Sequence, residues 1–184
     1  MAVTVANLLL VSCDLISSSV HDDLLFHAQL NTGFTGLLRL GKLTWPDKVA
    51  LRNYKKVTLH LSFHQSSQEY SFWLLTHKAD TTFEGNRIVV CRISGAPDPL
   101  PIMAHYINSC ETQFPFHPQL WLKCDGTIPL HAWFIHHLHH YFGTDIAGQS
   151  MRAGGATALA EAGAVLELIK GAGRWTSTAF ERYI

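Results

Sequence analysis

Residues 148–184 read GQSMRAGGATALAEAGAVLELIKGAGRWTSTAFERYI, and this stretch decides how the rest of the chain is interpreted. Its alanine-rich first half predicts a helix with Ser150 as the N-cap, and Gly163 offers the left-handed residue that ends such a helix. A second helix is predicted from Val165 to Lys170. A third is predicted from about residue 176 to the C-terminus. The end of the chain therefore reads as three short helices joined by glycine turns.

Reactive side chains recur along this stretch at helical spacings. Arg152 lies near the start of the first helix, Arg174 and Trp175 lie in a Gly-Arg-Trp turn, and Tyr183 closes the last amphipathic segment. The combination resembles the C-terminal signature of the tyrosine recombinase (phage integrase-like) family. That signature has His-x-x-Arg at a helix start, a Gly-His or Gly-Trp turn, and a nucleophilic tyrosine about nine residues later. Tyr183 lies nine residues after Arg174, and Gln149 stands at the family's His position.

The resemblance extends from about residue 22 to residue 183. The segments RAGGATALAEAG and GRWTSTAFERYI look closest in sequence to the versions carried by fungal mobile elements. It implies an α+β, mostly helical fold of the tyrosine recombinase catalytic-domain type, with a small three-stranded antiparallel sheet. We expect residues 1–184 to form a single domain of this type, without the N-terminal DNA-clamp domain that is usual in the family.

Hydrophobic periodicity predicts a mixture of helices and strands. Alternating apolar residues predict strands over 57–63, 70–74 and 87–92, and helices are predicted over 3–16, from 22 onward, 102–110 and 129–142.

Two further basic residues match the family pattern. Arg39, within Leu37-Leu38-Arg39-Leu40-Gly41, stands where the family has its first catalytic arginine, and Lys78 stands in the predicted β-hairpin, where the family has a catalytic lysine. Taken alone, Arg39 is also typical of an arginine whose stem packs on a core helix while its head reaches water. A hairpin lysine is normally a solvated edge charge. Lys42 replaces an acidic residue that is usual in the family.

The resemblance implies DNA breaking and rejoining on double-stranded DNA, as in DNA recombination and integration, without a metal or any other cofactor. Tyr183 would attack the phosphorus and form a covalent 3′-phosphotyrosine intermediate, while Lys78 would protonate the departing 5′ oxygen. Gln149 can donate a hydrogen bond but cannot take up a proton near neutral pH, so we expect weakened activity. The residues implied as catalytic are Arg39, Lys78, Gln149, Arg152, Arg174, Trp175 and Tyr183.

Composition is that of a globular chain, with 47% apolar and 15% charged residues, which excludes a disordered protein. The net charge is zero, which counts against strong attraction to DNA. Residues 39–78 nevertheless hold seven Lys and Arg against two acidic residues, so one basic face is predicted. The four cysteines form no Cys-x-x-Cys pair and no membrane span is predicted, which together favour an intracellular chain; the family resemblance adds the nucleus.

Two other interpretations remain open. Five histidines between His131 and His140 lie at spacings that would place pairs on one helical face, as zinc or nickel ligands do. The interpretation that we favour is a groove-facing helix in which histidines replace the usual basic residues. A catalytically decayed relative that binds DNA without cutting it is the alternative to a recombinase, and either protein could assemble as a homo-oligomer on DNA.

Overall fold

The computed structural model describes residues 2–75 and 85–175. Within these ranges the chain forms six α-helices and one three-stranded antiparallel sheet, in the order β1-β2-β3. The helices are α1 (Val5–Leu15), α2 (His21–Thr35), α3 (Pro99–Gln113), α4 (His131–Phe142), α5 (Ser150–Glu161) and α6 (Leu166–Gly173). The strands are β1 (His64–Gln65), β2 (Glu69–Leu74) and β3 (Asn86–Cys91). The fold class predicted from the sequence is confirmed.

Helix α2 is the centre of the molecule, and twelve of its fifteen residues are buried. It packs against α1, α3 and α5. Because most of α2 is buried, several of its polar side chains form internal hydrogen bonds. The Gln29 amide donates to the Leu43 carbonyl at 2.6 Å, and the hydroxyls of Thr32 and Tyr70 lie 2.7 Å apart.

The sheet covers one end of this helical core. Strand β2 pairs with β3 in the register Tyr70 to Val90 and Phe72 to Ile88, and these four side chains are buried. Strand β1 adds only two residues to the other edge of β2. The alternation of buried and exposed positions is what a sheet with one face on a core requires.

Local sequence signals explain where several helices begin and end. Thr4 and Asn7 form a reciprocal capping box at the start of α1, and Asp98 caps α3 immediately before Pro99. Gly163, with a φ of +84°, follows the end of α5 as predicted. The predicted N-cap of α5 was wrong by one residue. Gln149 takes that position, and the Ser150 hydroxyl instead accepts from the Ala147 N–H in the preceding turn.

The predicted strand over residues 57–63 was also wrong. This region forms short 3-10 turns, at Tyr54–Lys56 and His60–Ser62, before the two residues of β1. Further 3-10 turns occupy Leu40–Lys42 and Val49–Leu51. The predicted helix after residue 176 and the hairpin segment around Lys78 lie outside the described residues. No helix in the described ranges is long and apolar enough to cross a membrane.

Candidate site around two arginines

Helix α5 packs closely on α2 and on the segment before α1 because two consecutive glycines, Gly154 and Gly155, face them. A Cβ built at Gly155 would lie 2.0 Å from the Phe34 carbonyl oxygen, and one at Gly154 would lie 1.7 Å from that of Val3. Only glycine permits this approach, although it lowers helix propensity. The close packing fixes the first turn of α5, and with it Arg152, against the end of α2.

Arg152 is held by the Gly-Arg-Trp turn that follows α6. Its guanidinium Nη2 donates to the Gly173 carbonyl, and its Cζ lies 4.2 Å from the centroid of the Trp175 ring. A Cβ at Gly173 would lie 1.6 Å from Trp175 Cζ3, so glycine is needed there for the indole to lie over the arginine. A cation stacked on an indole face is an electrostatically favourable pair. The turn therefore fixes the orientation of a guanidinium that the sequence singled out.

Arg174 points back to the end of α2. It ends α6 in the left-handed conformation, with a φ of 56°, and its Nη2 donates to the carbonyls of Gly36 at 3.1 Å and Leu37 at 2.9 Å. Leu37 has a φ of 50° and is, with Arg174, one of two non-glycine residues with positive φ in the described chain. Burial, and then repulsion from Arg152, lowers the pKa of Arg174 to about 10, so the guanidinium remains charged at neutral pH.

Arg39 and Lys42 lie at the two ends of the first 3-10 turn. Arg39 is exposed and is the N-cap of the turn, whereas Lys42 is half-buried at its end. Burial lowers the pKa of Lys42, and the charges of Lys56, Arg174 and Arg39 lower it further. Arg39, Lys42, Lys56, Arg152 and Arg174 thus form a linked group of positive charges, which we call the cationic cluster.

The loop before α5 packs onto the same turn. A Cβ at Gly148 would lie 2.6 Å from Leu40 Cδ2, so Gln149 follows a residue in direct contact with the neighbour of Arg39. Gln149 itself is exposed and precedes Arg152 by three residues, which places the two near each other at the start of α5. Arg39 therefore lies on a segment that neighbours the start of α5, which carries Gln149 and Arg152.

The structure therefore brings five of the seven predicted site residues into one region: Arg39, Gln149, Arg152, Arg174 and Trp175. Lys78 and Tyr183 lie outside the described residues, and their roles stay predictions. Sequence reasoning missed the contributions of Lys42 and Lys56 to the cluster. The signal for Lys42 was its replacement of an acidic residue three positions after Arg39.

The histidines of α4 are largely engaged with the backbone. His131 Nδ1 donates to the Trp45 carbonyl at 3.0 Å, His137 Nδ1 to the Trp133 carbonyl at 2.9 Å, and His139 Nε2 to the Ile146 carbonyl at 3.0 Å. In the part of the chain that the structure describes, no group of three His, Cys, Asp or Glu residues is arranged to hold a metal ion. His131 and His139 therefore connect α4 to neighbouring segments, whereas the His137 hydrogen bond lies within the helix.

Comparison with solved structures identifies the class of fold. The XerH site-specific recombinase bound to its difH substrate, in a pre-cleavage complex, matches with a TM-score of 0.63 and 13% sequence identity, over 98% of this chain and 48% of the XerH chain. A post-cleavage complex of XerH with palindromic difH matches with a TM-score of 0.61 and 13% identity, over 97% of this chain and 46% of that one. The fold is thus tyrosine recombinase-like, and the chain spans about half the length of these neighbours.

Sequence comparison adds nothing to this assignment. No protein-family model matches the chain, and no curated protein matches it. No relative from a fungal mobile element was found, so that part of the sequence interpretation stays a prediction.

Proposed function

We propose that this chain breaks and rejoins DNA strands by tyrosine transesterification, as a recombinase of reduced activity. The observation that carries the proposal is the cationic cluster, in which guanidiniums from α5, from the turn after α6 and from the turn after α2 meet in a fold shared with DNA-bound recombinases. Positive charges held in one region attract anions. A DNA phosphate is such an anion.

In this proposal Arg39 and Arg152 stabilise the charge that develops on the non-bridging oxygens of the scissile phosphate. Planar guanidinium groups match that geometry with paired hydrogen bonds. Tyr183 attacks phosphorus, forming the 3′-phosphotyrosine bond and releasing the 5′ oxygen, which Lys78 protonates. A 5′ hydroxyl then attacks the phosphotyrosine, expels Tyr183 and restores the phosphodiester. The covalent intermediate conserves the bond energy, so no nucleotide cofactor is required.

The turn after α6 acts on this site in two different ways. Trp175 stacks on Arg152 and Gly173 accepts a hydrogen bond from it, so both fix the arginine that would meet the phosphate. Arg174 donates to two carbonyls of the turn before Arg39, so we assign it the role of positioning Arg39. The family resemblance implies a different role, in which Arg174 or Trp175 completes the phosphate pocket by a hydrogen bond from the guanidinium or the indole N–H.

The test is covalent capture from a pool of nicked suicide duplexes with randomised sequence. Strand cleavage next to a nick releases a short fragment that diffuses away, so the phosphotyrosine cannot be resealed. We expect an SDS-resistant protein–DNA adduct with the wild type and none with Tyr183→Phe. Tyr54→Phe, which changes a tyrosine that is 76% exposed, is the matched control and should leave the adduct unchanged. Adduct formation by Tyr183→Phe would refute the assigned nucleophile.

A second candidate function is DNA binding without cleavage, and Gln149 favours it because a proton-transfer group is missing from the helix start. Binding through the cluster should be tolerant of sequence and steeply salt-dependent. DNA binding with this salt dependence, together with no adduct from any duplex, would select the second candidate. Affinity indifferent to salt would contradict both. Action in the nucleus and assembly as a homo-oligomer on DNA belong to either candidate as proposals.

A further inference from the structure

A pocket of about 100 Å³ opens beside the cationic cluster. It lies between the segment 41–46, the 3-10 turns at Val49–Leu51 and Tyr54–Lys56, and the residues Trp121 and Ile128. None of the roles assigned above to the scissile phosphate uses this space. The pocket has two chemically distinct parts, a charged rim and an apolar interior.

The rim is positively charged. Lys42 and Lys56 both line it, together with the exposed amide residue Asn53, and no Asp or Glu lines it within the described chain. The two ammonium groups are close enough that the charge of Lys56 lowers the pKa of Lys42, after the larger effect of burial. An anionic group at the rim would be attracted by both ammonium groups and could accept charge-assisted hydrogen bonds from them.

The interior is apolar and aromatic. Leu43, Val57 and Trp121 are buried there, and the ring of Trp45 forms another part of the wall. Walls of this kind suit a flat ring and would gain little from a bare phosphate.

Buried polar atoms in the same wall point to a ligand with hydrogen-bonding groups. The indole N–H groups of Trp45 and Trp121 and the hydroxyl of Thr58 have no hydrogen-bond partner among the described residues. Buried donors without acceptors are costly, and native proteins rarely leave them so. Each of these atoms exposes less than 1 Å² and therefore does not face the open space of the pocket. A ring with carbonyl oxygens at its edge would accept from them once their side chains rotate toward it.

Size restricts the ligand further. A closed apolar cavity of about 150 Å³ holds benzene. A pocket of 100 Å³ that is open at its rim therefore fits one six-membered ring better than two fused rings. A single ring with edge carbonyls, joined to an anionic group, is the chemistry of a pyrimidine nucleotide.

We propose that this pocket binds a pyrimidine nucleotide, with the base inside and the phosphate between Lys42 and Lys56. The nucleotide has two possible sources. One is a pyrimidine unstacked from a DNA strand that lies across the cationic cluster, and this source rests on the proposed function. The other is a free mononucleotide, which does not depend on it. Unstacking a base costs a few kcal/mol in general, which the aromatic wall and the lysines would offset.

The first experiment is calorimetric titration of the full chain with thymidine monophosphate. Two neighbouring residue pairs supply matched variants, because one member of each lines the pocket and the other does not. We expect Lys56→Met and Leu51→Glu to weaken binding about tenfold, through lost attraction and added repulsion respectively. Lys55→Met and Val49→Glu should bind as the wild type does. All four positions are exposed, so folding should be unaffected.

Orthophosphate and thymidine serve as separate probes of the two halves of the ligand. Each should bind more weakly than the nucleotide. Orthophosphate binding as tightly as the nucleotide would overturn the proposal, because the base would then contribute nothing. No nucleotide binding by the wild type, or equal losses in pocket variants and controls, would overturn it as well.

A competition experiment separates the two sources. The site is assigned to DNA if a thymine-containing oligonucleotide displaces the mononucleotide from the wild type. The same oligonucleotide should then bind Leu51→Glu more weakly than Val49→Glu. Mononucleotide binding that no oligonucleotide competes with assigns it to the free nucleotide. Failure of all nucleotide binding would leave the Tyr183 adduct unaffected, whereas loss of the adduct alone would leave nucleotide binding intact, so the two proposals fail separately.

Discussion

Gln149 stands where the family resemblance places a histidine, so the proposed site lacks a proton-transfer group at this position. It lies at the exposed start of α5, three residues before Arg152. We predict that Gln149→His raises the rate of adduct formation by Tyr183 by ~10-fold or more, because a positioned acid/base typically contributes 10²–10⁴-fold. Single-turnover kinetics on the captured duplex would measure this rate. Gln149→Asn is the control, since it also carries no titrating group.

No gain from Gln149→His, with no adduct in any background, would point to a second defect. Lys42, which replaces the acidic residue usual after Arg39, would then be the first residue to examine, and DNA binding without cleavage would become the better proposal.

Arg174 supports the backbone turn that presents Arg39. Its guanidinium satisfies the carbonyls of Gly36 and Leu37 next to a leucine held at positive φ. We predict that Arg174→Ala lowers the free energy of unfolding by about 1–3 kcal/mol, the cost of leaving such groups unpaired. Arg174→Gly also loses the hydrogen bonds, but it removes the strain of the left-handed conformation and should be about 1 kcal/mol less destabilising than Ala.

Urea unfolding of both variants measures these differences. Equal stability of Arg174→Ala and the wild type would show that the two hydrogen bonds contribute nothing, and the positioning role would be lost. Equal stability of the Ala and Gly variants would remove the claim of strain at Arg174 while leaving the hydrogen-bond argument intact.

At the scale of elements, the contact between α2 and α5 depends on a missing side chain. A Cβ at Gly155 would lie 2.0 Å from a backbone oxygen of α2, whereas nothing lies within 4 Å of a Cβ at Gly171 in α6. We predict that Gly155→Ala destabilises the fold by about 1–3 kcal/mol or more, since backbone must move. Gly171→Ala, a matched substitution in a helix, should be neutral or stabilising by up to about 1 kcal/mol.

Thermal unfolding of the two variants gives the comparison, and DNA binding gives a second readout. Displacement of α5 should also displace Arg152, so Gly155→Ala should bind DNA more weakly even at temperatures where it is folded. Similar stabilities for the two alanine variants would contradict the close helix packing.

The helices could be predicted from sequence because their signals are local. Caps such as Asp98 before Pro99, and the glycine after α5, act within one turn of the chain. The prediction of a strand over 57–63 was wrong because the apolar residues at alternate positions do not all face the core. Val57 is buried but Leu61 is 86% exposed. A strand over 57–63 would also need a neighbouring strand to pair with, but only the next two residues, His64 and Gln65, pair with β2.

The candidate site could be predicted only in part, for a similar reason. Motif spacing identified Arg152 and Arg174, but not that Arg174 reaches two carbonyls near residue 37, which are more than 130 residues away. The participation of Lys56 likewise depends on how 3-10 turns fold back beside Lys42. Such contacts are set by tertiary packing, which spacing within one segment does not encode.

At the scale of the whole molecule, charge distribution matters more than net charge. The chain carries 14 basic and 14 acidic residues, yet the cationic cluster concentrates five positive charges at one end of α2. The four ion pairs found in the described ranges involve none of Arg39, Lys56 and Arg174. A neutral protein with one basic region can attract phosphate locally, although long-range steering is weak.

Acid should destabilise the fold through one buried histidine. His27 is buried beside Ser12, 2.8 Å from its hydroxyl, and burial followed by repulsion from His105 lowers its pKa to about 4. Between about pH 6.5 and 4 the unfolded chain therefore takes up a proton at His27 that the folded chain does not, and stability is lost as the pH falls.

We predict that the free energy of unfolding falls across this window by at most about 3 kcal/mol because of His27, and that the contribution is fully present above about pH 6.5. Urea unfolding at a series of pH values measures it. His27→Gln should be less stable than the wild type at neutral pH, because it disturbs the contact with Ser12, but its stability should depend less on pH. His140→Gln, at an exposed position, should keep the wild-type pH dependence. An unchanged pH dependence of stability in His27→Gln would contradict the assignment of this effect to His27. DNA affinity should be compared only at pH values where unfolding curves show the chain to be folded.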